Sequence, residues 1–387
     1  MEIKNLKKAA NRILSAIKNR ENIILYGDAD LDGAASVIIL KETIQTLGGK
    51  ICAVYFSNRE AEGYGVSERG LDYLKKFSPS LFITVDCGIG NFKEIDLANK
   101  LGFEVIVIDH HQVLGKIPNA SIVVNPKQKG DKYFFKELAA TGVVFKLSEL
   151  LLNSVKKKSF ILKESLLELT ALATIADMMP QEQDNKIFIE QGLKTIENSW
   201  RPSLQAVFKM EPFKSIDNLN QKISKLISIL NIRDIENDLP ASFRLLTSLS
   251  EEEAKKIIQE LLNKNEIKKE KIEKIIKEID GQISINQEII IFLGSSEWEF
   301  GFISLLASII CNKYKKPTFI FKKGERESQG AVRTSSEINS VLLMEKCSEH
   351  LLTFGGHPKA SGFKIKNENL EKFKACLLYT SPSPRDA

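Results

Sequence analysis

The chain has 387 residues, 43% of them hydrophobic and 27% charged, with 55 Lys and Arg against 50 Asp and Glu. This composition is typical of globular proteins and excludes a disordered or fibrous chain, and the length suits roughly two or three domains. The net charge of +5 does not by itself indicate a nucleic-acid partner, and apolar runs such as residues 289–293 fall far short of the roughly 18 residues of a membrane span, so we expect a cytoplasmic protein.

The first part of the chain alternates between helical and strand patterns. Residues 3–17 carry apolar side chains at helical spacing, residues 23–26 form a short apolar run that stops at Gly27, and helical periodicity returns over residues 33–46. Two further apolar runs end at Asp86 and Asp109. Apolar strands that alternate with helices predict a mostly parallel sheet covered on both faces.

The later part changes character twice. Residues 166–176 predict a buried helix that runs into Asp177, and residues 251–280 consist mainly of Glu, Lys, Ile and Leu with one apolar stripe, which predicts a long helix with a solvated face. A second α/β module begins at residue 288. We therefore expect a first domain over residues 1–250, a helical linker over 251–287 and a second domain over 288–376.

The last residues, 377–387, lack both the Lys and Ile bias and the periodicity of the preceding chain. They resemble translated vector sequence, so we expect a non-native tail, and the native gene would then continue beyond this chain. The cysteines have no CxxC spacing, which indicates neither a disulfide framework nor a zinc cluster, and we expect reduced thiols. They are Cys52, Cys87, Cys311, Cys347 and Cys376.

Carboxylates are concentrated directly after the first predicted strand, where Asp28, Asp30 and Asp32 occupy alternate positions of the segment GDADLDG. Alternation in an extended chain points side chains the same way, so at least two carboxylates can converge, and they repel unless cations lie between them. An EF-hand loop also opens with DxDxDG, but its twelfth position requires Glu, and here that position is Ile39.

Further acids and half of the chain's four histidines follow other elements. Asp86 lies in TVDCG, His110 and His111 follow Asp109, and Asp177 ends the predicted buried helix. A lone Asp after a strand is often a helix cap, and neighbouring histidines are often accidental, but the carboxyl ends of parallel strands are where such sheets build sites. An oxygen-rich set with one or two imidazoles favours Mn²⁺ or Mg²⁺ over zinc.

The order of these motifs resembles the DHH phosphoesterase superfamily, and within it the RecJ-like single-strand exonucleases. The matching segments of the first domain are GDADLDG, NREAEGYG, TVDCG, IDHH, VNPK, FKELAATGVVFKL and ATIADMMP. In the second domain WEFGFISLLAS, GAVRTSS and FGGHPKASGF are similar to the DHHA1 substrate-binding domain. The resemblance covers residues 21–365 and implies an α/β fold, in which a long helix joins a DHH domain with a mostly parallel sheet to a smaller α/β DHHA1 domain.

The resemblance also implies a catalytic site with two Mn²⁺ ions, with Mg²⁺ as the alternative. His111 would lie beside the scissile phosphate as a phosphate ligand or proton donor, and Asp86 would bridge the two ions. Two neighbouring cations can share a nucleophile and offset the charge of the phosphate. The implied metal ligands are Asp28 and Asp30 for one ion, Asp32, His110 and Asp177 for the other, and Asp86 for both.

The implied substrate contacts lie in both domains, and each has an ordinary structural alternative. Arg59 would bind a phosphate, although a lone arginine is usually a surface residue. In the second domain Arg333 and Thr334 would do the same, and the glycine turn before His357 would let backbone approach an anion. The residues of that turn are Gly355, Gly356 and His357. Tyr64 and Trp298 would stack on bases or belong to the core.

The implied function is a two-metal phosphodiesterase, a 5′-to-3′ exonuclease that releases 5′-mononucleotides from single-stranded DNA or RNA, with replication or repair proteins as partners. One alternative is a phosphodiesterase for short oligonucleotides or linear and cyclic dinucleotides, although such relatives begin with a His-containing first motif. A second is a non-catalytic replication scaffold related to RecJ, although here each expected ligand is present. Residues 225–231 retain little of the Pro-Arg-rich stretch usual in RecJ-like proteins.

Overall fold

The computed structural model describes residues 2–59, 61–113, 115–154, 160–232, 234–285, 289–334 and 338–380. The chain divides into two compact units, Met1–Asn265 and Glu266–Ala387. Across these ranges no helix combines the length and the apolar character needed to cross a membrane.

A five-stranded parallel sheet, in the order β2-β1-β3-β4-β5, forms the centre of the first unit and confirms the predicted parallel sheet. Its strands are β1 (Ile23–Gly27), β2 (Ile51–Phe56), β3 (Ser80–Val85), β4 (Phe103–Ile108) and β5 (Ile122–Val124). Helix α1 (Leu6–Lys18) precedes the first strand, and the helices between the strands are α2 (Leu31–Thr46), α3 (Glu68–Leu74) and α4 (Phe92–Lys100). Strand β2 was not predicted. It is an edge strand whose first residues are half-buried.

Two apolar cores cover the faces of this sheet. Neighbouring residues of β1, β3 and β4 point to opposite cores, so each strand is apolar throughout its central part. Leu25, Ile83 and Ile106 face the core that contains α1 and α2, and Ile24, Phe82 and Val105 face the core that contains α3 and α4. Each fully buried aliphatic or aromatic side chain contributes about 1.5–3 kcal/mol to this packing.

The rest of the first unit is mainly helical and includes the predicted buried helix. Its elements are α5 (Ala140–Asn153), α6 (Phe160–Ala176), α7 (Gln183–Thr195), α8 (Pro202–Lys209), α9 (Leu219–Leu230), β6 (Ile235–Glu236), β7 (Leu239–Pro240) and α10 (Ala241–Leu246). The predicted long helix is α11 (Glu251–Ile285). Its early apolar residues, Ala254 and Ile258, belong to the core of the first unit, and Ile272 and Ile279 belong to a core of the second.

The second unit is smaller and contains a mixed sheet in the order β11-β12-β10-β9-β8, in which only the β8–β9 pair is parallel. Its elements are β8 (Ile291–Ser295), α12 (Phe300–Tyr314), β9 (Thr318–Lys323), β10 (Glu327–Arg333), α13 (Ser340–Glu345), β11 (Leu351–His357), β12 (Ala360–Lys366) and α14 (Leu370–Thr380). Together with the parallel sheet and α11, this unit confirms the predicted fold class.

Two details of the second unit differ from the expectations, and a third concerns the end of the chain. Gly355 and Gly356 do not form a turn but lie in β11, paired with Gly362 and Ser361 of β12. Cys347 and Cys376 form a disulfide, because packing brings residues 29 positions apart in sequence to a Cα separation of 6.0 Å, which spacing alone does not reveal. Helix α14 extends into the segment expected to be non-native, and its Leu377 is fully buried.

Candidate metal centre

Acidic residues follow three neighbouring strands at one edge of the parallel sheet. Asp28 follows β1, Asp86 follows β3 and Asp109 follows β4, and all three side chains are buried. Parallel strands end at the same edge, so the fold itself gathers these residues. Asp177 comes to the same place from the end of α6.

Carboxylate and imidazole atoms form three overlapping groups at this edge, each with its ligand atoms within 4.8 Å of one another. The groups are Asp28, Asp30 and Asp86; Asp32, His110 and Asp177; and Asp86, His110 and His111. Asp86 Oδ1 lies 3.3 Å from His110 Nε2, which in turn lies 3.6 Å from Asp177 Oδ2 and 3.8 Å from Asp32 Oδ2. The structure thus brings together all the predicted metal ligands, with Asp86 between the two sets.

The start of α2 explains the second glycine of GDADLDG, Gly33. Asp30 is the N-cap, and its carboxylate accepts a hydrogen bond of 3.0 Å from the Gly33 N–H. A Cβ atom at Gly33 would lie 2.3 Å from the carbonyl oxygen of Asp28, so this position excludes any side chain. The close approach of backbone to backbone is what places Asp28, Asp30 and Asp32 together.

Asp32 is oriented by a segment that the sequence did not connect to it. Its carboxylate accepts hydrogen bonds from the backbone N–H groups of Ala140 and Thr141 at 2.7 and 2.9 Å, and from the Thr141 hydroxyl at 2.7 Å. These donors form the N-terminus of α5, where backbone N–H groups and the helix dipole stabilise negative charge. Ala140 and Thr141 lie in the motif FKELAATGVV, but no local pattern indicates the contact.

Asp86 is placed by the backbone. Its φ is +60°, in the left-handed region that few residues other than glycine adopt, and its N–H donates to the Ile108 carbonyl oxygen at 3.0 Å. Burial, followed by repulsion from Asp32 and Asp30, raises the pKa of Asp86 well above its ordinary value. A cation at this position would offset both effects.

Asp109 fixes both histidines, a function that the sequence pattern did not indicate. Its Oδ1 accepts from the N–H groups of His110 and His111 at 2.7 and 3.0 Å and lies 2.8 Å from His111 Nδ1. Its Oδ2 accepts from the Ile89 N–H at 3.0 Å. Burial raises the pKa of Asp109, but the hydrogen bonds and charge of His111 outweigh it and lower the pKa to about 2.

The histidine rings have different environments. His110 Nδ1 lies 2.9 Å from the Leu138 carbonyl oxygen, and this contact turns Nε2 toward the carboxylates. Burial lowers the pKa of His110. Burial also lowers the pKa of His111, but the hydrogen bond and charge of Asp109 outweigh it, and the net direction is upward. His110 is therefore suited to bind a cation and His111 to hold a proton.

Unpaired buried atoms test whether the residues fit a metal. Within the described residues, Asp86 Oδ1, His110 Nε2 and Asp177 Oδ2 are buried without a hydrogen-bond partner. Burial and repulsion by Asp32 raise the pKa of Asp177 to about 7. Such atoms normally have partners, and an oxygen-rich set with imidazole suits Mn²⁺ or Mg²⁺, so the residues fit divalent cations.

Arg59 contacts the acidic cluster directly. Its Nε donates to Asp28 Oδ1 at 2.8 Å, and its Nη2 forms ion pairs with Asp28 Oδ2 and, at 2.8 Å, with Asp30 Oδ2. A cleft of about 460 Å³ adjoins these groups, lined among others by Arg59, Asp177 and Asn231. The predicted phosphate contact of the first unit therefore lies at the metal ligands.

The substrate contacts predicted in the second unit occupy the strands β10 and β11 and the loop after β10. Arg333 Nε donates to the Ser308 hydroxyl at 3.0 Å, and its Nη1 donates to the Val332 carbonyl oxygen at 2.9 Å. Burial lowers the pKa of Arg333. The hydroxyl of Thr334 lies 2.7 Å from the carbonyl oxygen of Ile338, to which it can donate, and 3.2 Å from that of Pro358. The side chain of His357 lies outside the described part of the structure.

Comparison with known proteins identifies both units. Residues 22–174 match the DHH family, N-terminal domain, and residues 286–378 match the DHHA1 domain. The single-stranded-DNA-specific exonuclease RecJ of Bacillus subtilis (strain 168) is 32% identical over 384 residues, which cover 97% of this chain. The chain spans only 48% of that relative's length.

Solved structures agree. A crystal structure of exonuclease RecJ bound to manganese has 26% identity and a TM-score of 0.82, and the match covers 100% of this chain and 98% of the other. The RecJ structure from Thermus thermophilus in complex with Mn²⁺ has 25% identity and a TM-score of 0.83, covering 99% of this chain and 56% of that one. The chain is therefore a RecJ-like member of the DHH superfamily, with a DHH domain followed by a DHHA1 domain.

Proposed function

We propose that this protein is a divalent-metal-dependent phosphodiesterase and, more specifically, a RecJ-like 5′-to-3′ exonuclease that releases 5′-mononucleotides from single-stranded DNA or RNA. The observation that carries the proposal is the position of Asp86, a buried carboxylate common to two of the metal-ligating groups. Relatives that match across nearly the whole of this chain are single-stranded-DNA-specific exonucleases, and a RecJ structure of the same fold is bound to manganese.

The proposed ligands divide between two Mn²⁺ ions, with Mg²⁺ as the alternative. Asp28 and Asp30 would hold one ion, Asp32, His110 and Asp177 would hold the other, and Asp86 would bridge them. Such a pair of cations supplies an activated water and neutralises the charge of a phosphodiester. In support, Asp86 shares one group with Asp28 and Asp30 and another with His110, and His110 shares a third with Asp32 and Asp177.

His111 and Arg59 are the proposed substrate-facing residues of the first unit. Asp109 engages His111 at Nδ1, so Nε2 is the nitrogen that would donate a proton or a hydrogen bond to phosphate. Arg59, which already contacts carboxylates, has the planar donor geometry that phosphate oxygens also match.

In the second unit we assign phosphate binding to Arg333 and a supporting role to Thr334. The groups that Arg333 contacts, the Ser308 hydroxyl and the Val332 carbonyl, are neutral, so a phosphate would supply a negative charge beside a half-buried guanidinium. The hydroxyl of Thr334 donates to the Ile338 carbonyl oxygen. Gly355, Gly356 and His357 remain proposed contacts through the β11 backbone.

The deciding experiment incubates the protein with Mn²⁺ and, separately, 5′-labelled single strands, duplexes and dinucleotides. Release of labelled mononucleotide from single strands alone supports the proposal, and turnover of dinucleotides alone would instead indicate a dinucleotide phosphodiesterase. Inactivity on all three substrates with metal bound would indicate a replication scaffold. DNA and RNA strands of the same sequence settle the sugar preference, and 3′-labelled strands settle polarity.

A pair of variants links any activity to the centre. Asp86→Asn should reduce turnover by roughly 10³-fold, because a bridging ligand supports several kcal/mol of transition-state stabilisation. The control, Asp217→Asn, changes an exposed aspartate elsewhere in the same unit and should leave turnover unchanged. Near-normal activity in Asp86→Asn, with wild-type circular dichroism, would contradict the proposed site.

A further inference from the structure

Tyr64 lies between β2 and α3, flanked by two glycines. Its neighbours Gly63 and Gly65 have φ of +86° and +87°, which residues with a side chain rarely adopt. A Cβ atom at Gly65 would lie 2.3 Å from Asn91 Oδ1, and the same oxygen accepts from the Val66 N–H at 3.2 Å. The residues after Tyr64 are thus held close to the segment after β3.

The hydroxyl of Tyr64 reaches the metal centre. It donates to the backbone carbonyl oxygen of Asp86 at 3.2 Å and lies 3.1 Å from Nδ1 and 3.2 Å from Nε2 of His111. Nδ1 also lies 2.8 Å from Asp109 Oδ1, so the carboxylate and the tyrosine hydroxyl lie beside the same edge of the imidazole, with the hydroxyl within reach of both nitrogens. Tyr64 and Asp109 therefore both contact the nitrogen-bearing edge of the His111 ring.

The ring of Tyr64 makes a second pair of contacts. The His111 ring packs edge-on against it, with centroids 5.5 Å apart and an interplanar angle of 68°. The guanidinium carbon of Arg59 lies over the same tyrosine ring, 5.2 Å from its centroid, which is within the range of a cation–π interaction. One half-exposed side chain thus contacts both residues proposed to face the phosphate.

We infer that Tyr64 is a positioning residue that orients His111 through its hydroxyl and Arg59 through its aromatic ring. The inference rests on the proposed phosphodiesterase function for its kinetic consequences, but not for its geometry. The hydroxyl and the ring have separable effects: the hydroxyl acts on the group beside the reacting phosphate, and the ring acts on substrate binding as well.

The test compares Tyr64→Phe with Tyr64→Ala on the labelled single strand. Tyr64→Phe keeps the ring and should lower kcat about tenfold with KM unchanged, since one hydrogen bond is lost. Tyr64→Ala should also raise KM roughly threefold, because Arg59 loses the aromatic face. The matched controls are Tyr73→Phe and Tyr73→Ala, since Tyr73 is 50% exposed against 49% for Tyr64 and lies in α3 of the same unit.

A second readout requires no turnover. The rate of His111 modification by diethyl pyrocarbonate, followed by peptide mass spectrometry, should rise roughly threefold or more in Tyr64→Phe, where the hydroxyl no longer engages the imidazole, and further in Tyr64→Ala. It should stay unchanged in both Tyr73 variants. If the wild-type protein cleaves nothing, the proposed function fails while this readout still tests Tyr64. Wild-type modification rates in both Tyr64 variants would overturn the inference, as would wild-type kcat and KM in an active protein.

Discussion

At the scale of single residues, the centre is defined by how each charge is compensated. Asp32 is compensated by the N-terminus of α5 and Asp109 by N–H groups from two segments. Asp86 and Asp177 instead have raised pKa values, and each has a buried oxygen without a hydrogen-bond partner in the part of the chain that the structure describes. Asp28 is compensated by Arg59. Protein groups therefore compensate the charges of Asp32 and Asp109, and a cation would stabilise Asp86 and Asp177 most.

The pairing of Arg59 with Asp28 and Asp30 predicts competition with a cation. Arg59→Gln should raise the affinity for Mn²⁺ by roughly tenfold. In the variant the ion no longer competes with a guanidinium whose ion pairs stabilise these carboxylates by about 1 kcal/mol or more. Isothermal titration calorimetry measures the change. Arg12→Gln is the control, because Arg12 pairs with Glu21 and Glu104 instead. Unchanged or weaker binding in Arg59→Gln would show that the ion pairs do not oppose the metal.

The raised pKa of Asp177 predicts how stability depends on pH without metal. The pKa rises from 3.8 to about 7 on folding, so between these values the native state binds more protons than the unfolded state, and stability falls as pH rises. Asp177→Asn removes this pH-dependent contribution to the free energy of unfolding. In EDTA the variant should gain roughly 1–2 kcal/mol relative to wild type between about pH 5 and pH 8, measured by urea unfolding. A difference in the free energy of unfolding that does not change with pH would contradict the raised pKa of Asp177.

At the scale of elements, periodicity and strand ends account for what could be predicted. Strands β1, β3 and β4 have continuous apolar runs because both faces are buried, and the acids that follow them share an edge because the strands are parallel. The contact between Asp32 and Ala140 spans 108 residues and depends on how α5 packs, which no local pattern encodes. Gly355 and Gly356 resembled a turn because a pair of glycines is usual there, but pairing with β12 makes them a strand.

The junction between β1 and α2 predicts an intolerance of side chains at one position. Gly33→Ala should destabilise the first unit by about 1–3 kcal/mol, because the new Cβ meets backbone that cannot move without displacing Asp28. Urea unfolding gives the free energy. The control is Gly90→Ala, where a Cβ meets nothing within 4 Å and the change should stay within about 0.5 kcal/mol. Equal stabilities of the two variants would contradict this account of the motif.

At the scale of the whole molecule, the two units have different chemistry. All members of the three candidate metal-binding groups found among the described residues belong to the first unit, and Arg333, an arginine of the second unit, contacts neutral groups. Apolar stripes along α11 indicated a long helix, but not that its early and late residues join different cores. Packing decides which residues of α11 stabilise which unit, because the apolar stripe alone would allow each residue to join either core.

Metal removal should therefore destabilise the first unit. With free Mn²⁺ at about 100 times its dissociation constant, binding to the native state adds about 2.7 kcal/mol, which EDTA should abolish. Differential scanning calorimetry of the full chain measures the shift of the unfolding transition. Asp86→Asn should lose most of this shift and Asp217→Asn should keep it. A transition that does not respond to Mn²⁺ in the wild-type protein would contradict the metal centre.

The bonds of Asp109 have a consequence for how such proteins are recognised. The first letter of the triplet Asp-His-His is absent from the three metal-ligating groups, and its carboxylate instead joins the loop after β3, through Ile89, to the loop after β4. A sequence search that scores this position therefore detects a residue that links two loops by hydrogen bonds, and not a proposed metal ligand. A protein that linked these loops through other residues could keep the proposed metal chemistry and lack the Asp-His-His motif.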